Sequence, residues 1–428
     1  MRNKNTGAQS PLTRRNFLRG TAAVAAGAAF GAPTFVPSTV FGSNAPGNRI
    51  TIGWIGIGGN GSGMLSSCLS DPSVEVLAVC DVDAERLEKA RLKANLPAQA
   101  AYNDFRQLLA REDIDAVGIS TPDHWHVPIA VAAVKAGKDV YCQKPMSLTI
   151  GEGHALIDAV RRHRRILQVG AQQRSSRNFR FACELVRNGR IGQVKTIEVL
   201  LPQGKRIENQ PVTPVPEGFD YDMWLGPAPW APYTEARCHY NFRFNWDYSG
   251  GKFMDWGAHH MDIVHWALDC DSSGPLEARG RGDFPMEGIF NTPITFEVQF
   301  VYPNGVRVTA KNGPEGIRFN GTEGWVDISR SKLDADPKSL LSSLIGPNEI
   351  RLYESAEHRE NFLECVRTRK EPISPVETGH RSASACHVAN IALRLGRPVR
   401  WNPQEERFEG DEEANRMISR AMRAPWRL

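Results

Sequence analysis

Between Gly250 and Trp266 the chain reads GGKFMDWGAHHMDIVHW, a run that holds Asp255, Asp262 and the histidines His259, His260 and His265. Carboxylates and imidazoles this close together have two chemical uses. One is acid–base work: an imidazole titrates near pH ~6.5, so it can take and return a proton at neutral pH, while a carboxylate one helical turn away orients it. The other is metal ligation. On a helix starting near Met254, Asp255, His259 and Asp262 fall at i, i+4 and i+7 on one stripe. His260 is turned about 100° away and His265 does not join the stripe. That split argues for proton transfer through His259 and against a metal centre. Met261, Val264 and Trp266 read as packing, and Gly250-Gly251 as backbone able to pass close to a ligand.

A second cluster of chemistry lies upstream. GWIGIGGNGSG contains Gly56-x-Gly58-x-x-Gly61, with Asn60 inside the turn, directly after an apolar run and opening a helical pattern. Such glycines allow a tight turn and close approach of a pyrophosphate, which the helix N-terminus then holds. Asp81 stands twenty residues beyond Gly61, where a carboxylate hydrogen-bonds the ribose hydroxyls of NAD and repels a 2′-phosphate. NAD is therefore favoured over NADP. Asp83 either shares the ribose or caps the next helix.

Two more strand ends follow. STPDHWH places Thr121-Pro122 at one of them, Asp123 as a helix N-cap, and His126 either near the cofactor or on a helix surface. YCQKP places Lys144 before Pro145, where an ammonium either tunes a neighbouring base or is simply solvated.

These residues need a scaffold. From Arg49 to about Gly170, apolar runs (ITIGWIGIG, VEVLAVCD, DIDAVGIST, KDVYCQKP, RILQVGAQ) alternate with helical patterns, as in a parallel sheet covered on both faces. Beyond Ala171, period-two runs separated by NG turns (ITFEVQFVY, GVRVTAKNG, GIRFNGTEGWVDIS) predict an antiparallel sheet, with late helices in HRENFLECVRTRK and ETGHRSASACHVANIALRL. The fold class is α/β: a Rossmann doubly wound domain over 48–170, then an α+β substrate domain over 171–428. The loop 202–249 is rich in Trp, Tyr and Arg. Its aromatic faces suit sugar rings, and equally suit a core.

The N-terminus stands apart. LTRRNFLRGTAAVAAGAAFGAP pairs Arg14 and Arg15 with a weakly apolar stretch too short to span a membrane, so residues 1–45 read as a twin-arginine export signal and linker. Residues 1–47 carry five basic side chains and no acid, so of the formal charge of +4 the remainder keeps about −1. A near-neutral chain has no bulk charge reason to bind nucleic acid. RRHRR (Arg161 to Arg165) reads as a solvated helix end. The eight cysteines show no metal-ligand spacing and support no particular disulfide, and Cys80 and Cys142 read as small buried hydrophobes.

Taken together, Gly56-x-Gly58-x-x-Gly61, Thr121-Pro122, Lys144-Pro145 and Gly250-Gly251…Asp255-x-Gly257-x-His259-x-x-Asp262 resemble the Gfo/Idh/MocA oxidoreductases, over nearly the whole chain after the leader. The resemblance implies a Rossmann domain plus a large open, mostly antiparallel sheet through which copies assemble. It also implies oxidation or reduction of a sugar, glycoside or cyclic polyol at a secondary carbinol with NAD(P). The family's Lys-Pro lysine falls on Lys144 and its catalytic Asp and His on Asp255 and His259. Asp262 and Arg174, in GAQQR, fall at substrate-binding places. The chain departs from the pattern at Gln143, where the family has Glu. Export to the periplasm, which supplies no free NAD, implies a tightly held cofactor with no stable membrane insertion. Two other readings stand beside this one: glycoside cleavage by transient oxidation and elimination, and sugar binding without catalysis.

Overall fold

The structure is a computed structural model that describes residues 48–428; the expected export signal, residues 1–45, lies outside the described residues. In the first half, strands β1 (Ile50–Ile55), β2 (Val74–Cys80), β3 (Ala101–Tyr102), β4 (Ala116–Ile119), β5 (Asp139–Cys142) and β6 (Leu167–Val169) alternate with helices. These are α1 (Gly59–Leu69), α2 (Ala84–Lys93), α3 (Phe105–Leu109), α4 (Asp123–Lys135) and α5 (Ile150–His163). The strands pair in parallel in the order β3-β2-β1-β4-β5-β6. Every residue of β4, β5 and β6 is buried, as continuous apolar strands between two helical layers must be. The order reverses beside β1, so the crevice at the carboxyl ends of β1 and β4 is the place where such sheets bind ligands.

The second half begins with α6 (Arg177–Arg187), β7 (Val194–Leu201), α7 (Tyr221–Leu225), α8 (Gly251–Asp255) and α9 (Gly257–Leu268). Strands β8 (Glu277–Asp283), β9 (Thr295–Val301), β10 (Arg307–Asn312), β11 (Gly316–Gly321), β12 (Trp325–Ile328) and β13 (Leu333–Asp336) come next. Then follow α10 (His358–Thr368), α11 (Val376–Leu395), β14 (Val399–Asn402), β15 (Arg407–Phe408) and α12 (Glu412–Arg416). The nine strands run β13-β12-β11-β7-β10-β9-β8-β14-β15, antiparallel except where β10 meets β7. Burial alternates along β9, so one face packs on α6, α9 and α11 and the other is open. The GIRFNGTEGWVDIS run is two strands, β11 and β12, folded on each other. Helix α10 returns to the first sheet: Phe362, Leu363 and Cys365 sit in the same core as Ile52 and Trp54.

Three sequence expectations change. The helix expected from Met254 is broken. Helix α8 ends at Asp255 and α9 starts at Gly257, with the amides of His259 and His260 both donating to Trp256 O. Asp255 thus leaves the stripe that His259 and Asp262 still share. Asp123 is not the cap of α4: the cap is Pro122, and the Asp123 carboxylate accepts from Ser249 Oγ. Gly250 and Gly251 serve the chain's own packing. Gly251 has φ +73°, and a Cβ there would meet the Thr292 side chain at 2.7 Å; at Gly250 it would meet Met254 Cγ at 2.2 Å. The RRHRR run is paired as well as solvated, with Arg161 bridging Glu371 and Glu377. All eight cysteines are buried free thiols, Cys80 and Cys142 among them. Among the described residues no helix is long and apolar enough to cross a membrane.

Candidate functional site

A cleft of about 470 Å³ opens at the carboxyl ends of β1, β2, β4 and β5. Its wall takes Gly56, Gly58 and Asn60 from the first turn, Asp81 from the end of β2, Thr121, Pro122, Asp123 and His126 from the β4 end, and Gln143 and Lys144 from the β5 end. The far side comes from the 202–249 region, with Trp224, Tyr240 and Arg243. The rest of that region packs on itself: Tyr221, Trp224, Leu225, Tyr233, Phe242 and Tyr248 form a small core of their own.

The first turn is built for a bulky anion. Gly56 has φ +85°, and a Cβ on Gly61 would lie 1.9 Å from Gly56 O, so strand and helix touch backbone to backbone. A Cβ on Gly59, by contrast, would meet nothing within 4 Å, so the start of α1 faces open space with no acid in its first turn. The N–H groups and dipole of that helix end suit a pyrophosphate. Asp81 is nearly buried; Oδ2 accepts from Ile57 N at 2.6 Å and Oδ1 from Asp83 N at 3.0 Å. Burial pushes its pKa up and the two backbone donors pull it back. Each oxygen keeps a lone pair for a ribose hydroxyl. Asp83 caps α2 through Glu85 N and Arg86 N. Ser120 Oγ and Thr121 Oγ1 are buried with no hydrogen-bond partner among the described residues, as expected where a ligand completes the wall. The residues therefore fit a dinucleotide.

His126 is buried between two strand ends, with Nδ1 2.7 Å from Pro145 O and Nε2 2.9 Å from Thr121 O, and the neutral ring donates to one of these carbonyls. Burial pushes its pKa down to about 4 despite those carbonyls. It holds the cofactor crevice in shape rather than presenting a free ring to it. The Gln143 amide is nearly buried behind Lys144, with Oε1 accepting from Gln172 Nε2 at 3.4 Å.

Lys144 joins the two halves of the molecule. Its Nζ donates to Asp255 O at 2.6 Å and to Asp255 Oδ1 at 2.9 Å. Lys252 Nζ reaches Asp255 Oδ2 at 2.8 Å and Arg243 Nε reaches Oδ1 at 3.3 Å. Burial pushes the Asp255 carboxyl up, but Lys144, Arg243 and Lys252 outweigh it and hold it far below the usual carboxylate range. His259 lies behind this cluster, 6% exposed, its Nδ1 without a hydrogen-bond partner among the described residues. Burial, with Lys144 and Arg330 adding to it, pushes its pKa well below 6.5, so the ring is neutral at neutral pH. Asp255 and His259 are not themselves in the cleft wall among the described residues, whereas Lys144, bonded to Asp255, is. His260 is fully buried, with Nε2 3.3 Å from Glu315.

Two expected substrate contacts are placed elsewhere. Arg174 and Asp262 are each 2% exposed and bond to each other at 2.7 Å, and Arg174 also bonds Asp271 at 2.7 Å. Ser382 Oγ donates to the other Asp262 oxygen at 2.7 Å. With their charges spent on one another inside the protein, they pin α9 to the end of the parallel sheet and offer nothing to the cleft. Reasoning from sequence also passed over Lys252 and Arg243. Lys252 sits three residues before Asp255 on α8, and that spacing was the available signal.

Comparison with known proteins follows the same outline. Residues 50–171 match the NAD-binding Rossmann fold of the Gfo/Idh/MocA oxidoreductase family, residues 202–428 its C-terminal alpha/beta domain, and residues 11–31 a twin-arginine translocation pathway signal sequence. A glycosyl hydrolase family 109 protein of Saccharopolyspora erythraea is 33% identical over 208 residues, 43% of this chain and 44% of that protein. The chain thus matches less than half the length of that relative. Among solved structures, an aldose-aldose oxidoreductase from Caulobacter crescentus complexed with glycerol superposes with a TM-score of 0.63 at 20% identity, covering 82% of this chain and 99% of that one. The WlbA dehydrogenase from Bordetella pertussis in complex with NADH and UDP-GlcNAcA gives 0.63 at 18% identity, covering 83% and 98%. At such identities the likeness shows the fold.

Proposed function

We propose that this chain, which belongs to the Gfo/Idh/MocA oxidoreductase family, oxidises a secondary hydroxyl of a sugar, glycoside or cyclic polyol with an NAD that it holds tightly and recycles in place. The observation that carries this reading is Lys144. It sets an ammonium in the wall of a nucleotide-shaped cleft and is held there by Asp255 through two bonds of 2.6 and 2.9 Å.

Bound NAD supplies the acceptor for the hydride that leaves the carbinol carbon. The chain's own groups handle the proton and the charge. His259, neutral because it is buried beside cations, would accept the hydroxyl proton once the substrate oxygen reaches it beyond the wall that Lys144 lines. Lys144 donates to the same oxygen and stabilises negative charge as it develops there. Asp255 fixes Lys144 and stays ionised throughout. The turn from Gly56 to Gly61 and the start of α1 would hold the pyrophosphate and Asp81 the ribose, with Thr121 and Pro122 lining the same cleft.

The export signal supports tight retention. A twin-arginine substrate crosses folded and carries its cofactor into a periplasm that does not replace it. A second substrate, or return of the hydride to the same one, then regenerates NAD.

The glycosyl hydrolase family 109 relative, matched over less than half its length, is also compatible with a second reading of the same site, in which oxidation acidifies a ring carbon, elimination releases the aglycone, and the hydride returns. Anaerobic incubation with a panel of glycosides separates the two. An accumulating keto-sugar with reduced nicotinamide supports net oxidation; free aglycone without reduced nicotinamide supports cleavage. Protein that neither contains nor binds nucleotide contradicts both.

A further inference from the structure

The carboxylate of Asp255 is outnumbered. Lys144 and Arg243 share its Oδ1 and Lys252 takes its Oδ2, with side-chain exposures of 16, 23 and 8% against 11% for Asp255. Three cations facing one anion leave an excess of two positive charges in a largely buried wall. Uncompensated buried charge is costly, and natural sites pair it.

The neighbouring groups do not balance it. Asp123 lines the same cleft, but burial pushes its pKa up to about 7, so it is ionised only in part at neutral pH. Tyr240 OH accepts from Lys252 at 3.3 Å and brings no charge. His126 and His259 are held neutral by burial. Glu315 faces His260 and accepts from Arg330 N, and the Arg330 guanidinium offsets its charge. The phosphates of NAD belong at the start of α1, after β1, whereas Lys144 follows β5 with β4 between. Two strand spacings put those places roughly 10 Å apart. An oxidised nicotinamide ring is itself a cation and adds to the excess.

We propose that the substrate brings the missing anion: the sugar or polyol oxidised here carries a carboxylate, as a uronic or aldonic acid does, and Arg243 binds it. This rests on the redox reading above and narrows its substrate class. Arg243 is in the cleft wall, its guanidinium held over the rings of Tyr240 and Phe242 at 4.6 Å each, and a planar fork so fixed matches a carboxylate. Lys252, outside the wall, neutralises Asp255 from behind and so leaves the charge of Arg243 for the ligand and that of Lys144 for the reacting hydroxyl.

The test is calorimetric titration of the NAD-loaded protein. The probes are D-glucuronate, D-galacturonate and D-gluconate against D-glucose, D-galactose and myo-inositol. The expected result is at least one acid bound roughly tenfold or more tighter than its neutral counterpart, a preference that shrinks as salt is raised. Arg243→Met abolishes most of that preference, Lys252→Met reduces it and Lys252→Arg keeps it, and any loss of neutral-sugar affinity is smaller than the loss for the acids. A melting curve accompanies each variant; should Arg243→Met fail to fold, Arg243→Gln and the Lys252 pair carry the test. Neutral sugars bound as tightly as acids, or variants that weaken both alike, overturn the proposal. Reduction of bound NAD by neutral sugars alone also overturns it and leaves the redox reading standing. Acids that bind tightly while no sugar reduces NAD uphold the acid site and sink the redox reading instead.

Discussion

Asp255→Asn deletes the one anion that Lys144, Arg243 and Lys252 share while keeping the side chain's shape. Removing one partner of a buried ion pair costs about 3–5 kcal/mol, because the other is left uncompensated. With about 2.1 cal/mol/K of unfolding entropy per folded residue, that is a fall in Tm of roughly 4–6 °C. The pH dependence gives a sharper readout. The folded-state pKa of Asp255 is depressed, so its stabilisation is complete above the unfolded value of about 3.9 and is lost as pH falls towards the folded one. The stability gap between wild type and Asp255→Asn is therefore flat from pH 8 to about 4. Below that it narrows by about 1.4 kcal/mol per pH unit. Asp123 is the exception, because the Asp255 charge helps raise its pKa, so both proteins carry Asp123→Asn in this comparison and the remaining carboxyls drop out of the difference. Denaturant melts at pH 7, 5, 4 and 3 measure it. A variant as stable as wild type at pH 7, or a gap that widens on acidification, refutes the charge cluster as described.

Four other outcomes follow from the site. His259→Asn lowers kcat by about 10²–10⁴-fold with NAD content unchanged, and the wild-type acid limb of kcat/KM lies well below pH 6.5; bound-nucleotide assay and a pH–rate profile check both. Gly61→Ala drives a Cβ to 1.9 Å from Gly56 O, so the purified variant carries little or no NAD. Arg174→Met strands the buried Asp262 carboxylate and costs about 3–5 kcal/mol of stability, while KM in the surviving folded enzyme moves less than it does on changing Arg243. The raised pKa of Asp123 makes its ionisation a cost to the fold. Asp123→Asn thus gains stability relative to wild type as pH rises from about 4 to about 7 and no more above that, in paired melts.

What the sequence disclosed depended on whether a signal was local. Continuous apolar runs and a glycine turn placed β1, β2, β4, β5, β6 and the nucleotide crevice because burial on both faces leaves no other composition for such strands, whereas the two-residue β3 carried no such run. The alternation in β9, β10 and β11 was equally readable. Strands such as Glu277–Asp283, with two arginines and two acids, carried too little apolar pattern to be seen and are set by pairing with β9. In the site, Asp255 and His259 were legible from type and spacing, and Lys144 only through the family resemblance. Their arrangement was not: the chain breaks at Trp256, and the bond that holds Lys144 to Asp255 spans 111 residues. Arg174 and Asp262 misled for the same reason, since only the fold shows that two polar residues 88 apart neutralise each other. Lys252 and Arg243 owe their importance to a charge count that no single stretch of sequence contains.

The central claim is a sugar-oxidising site that keeps its own NAD, and it is tested most directly by purifying the folded protein without added nucleotide. Anaerobic addition of the sugar and glycoside panel follows while the absorbance of reduced nicotinamide is recorded. The account predicts close to one NAD per chain, reduced by at least one sugar or released into a cleavage cycle, with the response abolished in His259→Asn. Protein that carries no nucleotide and takes up none when NAD is supplied would contradict it.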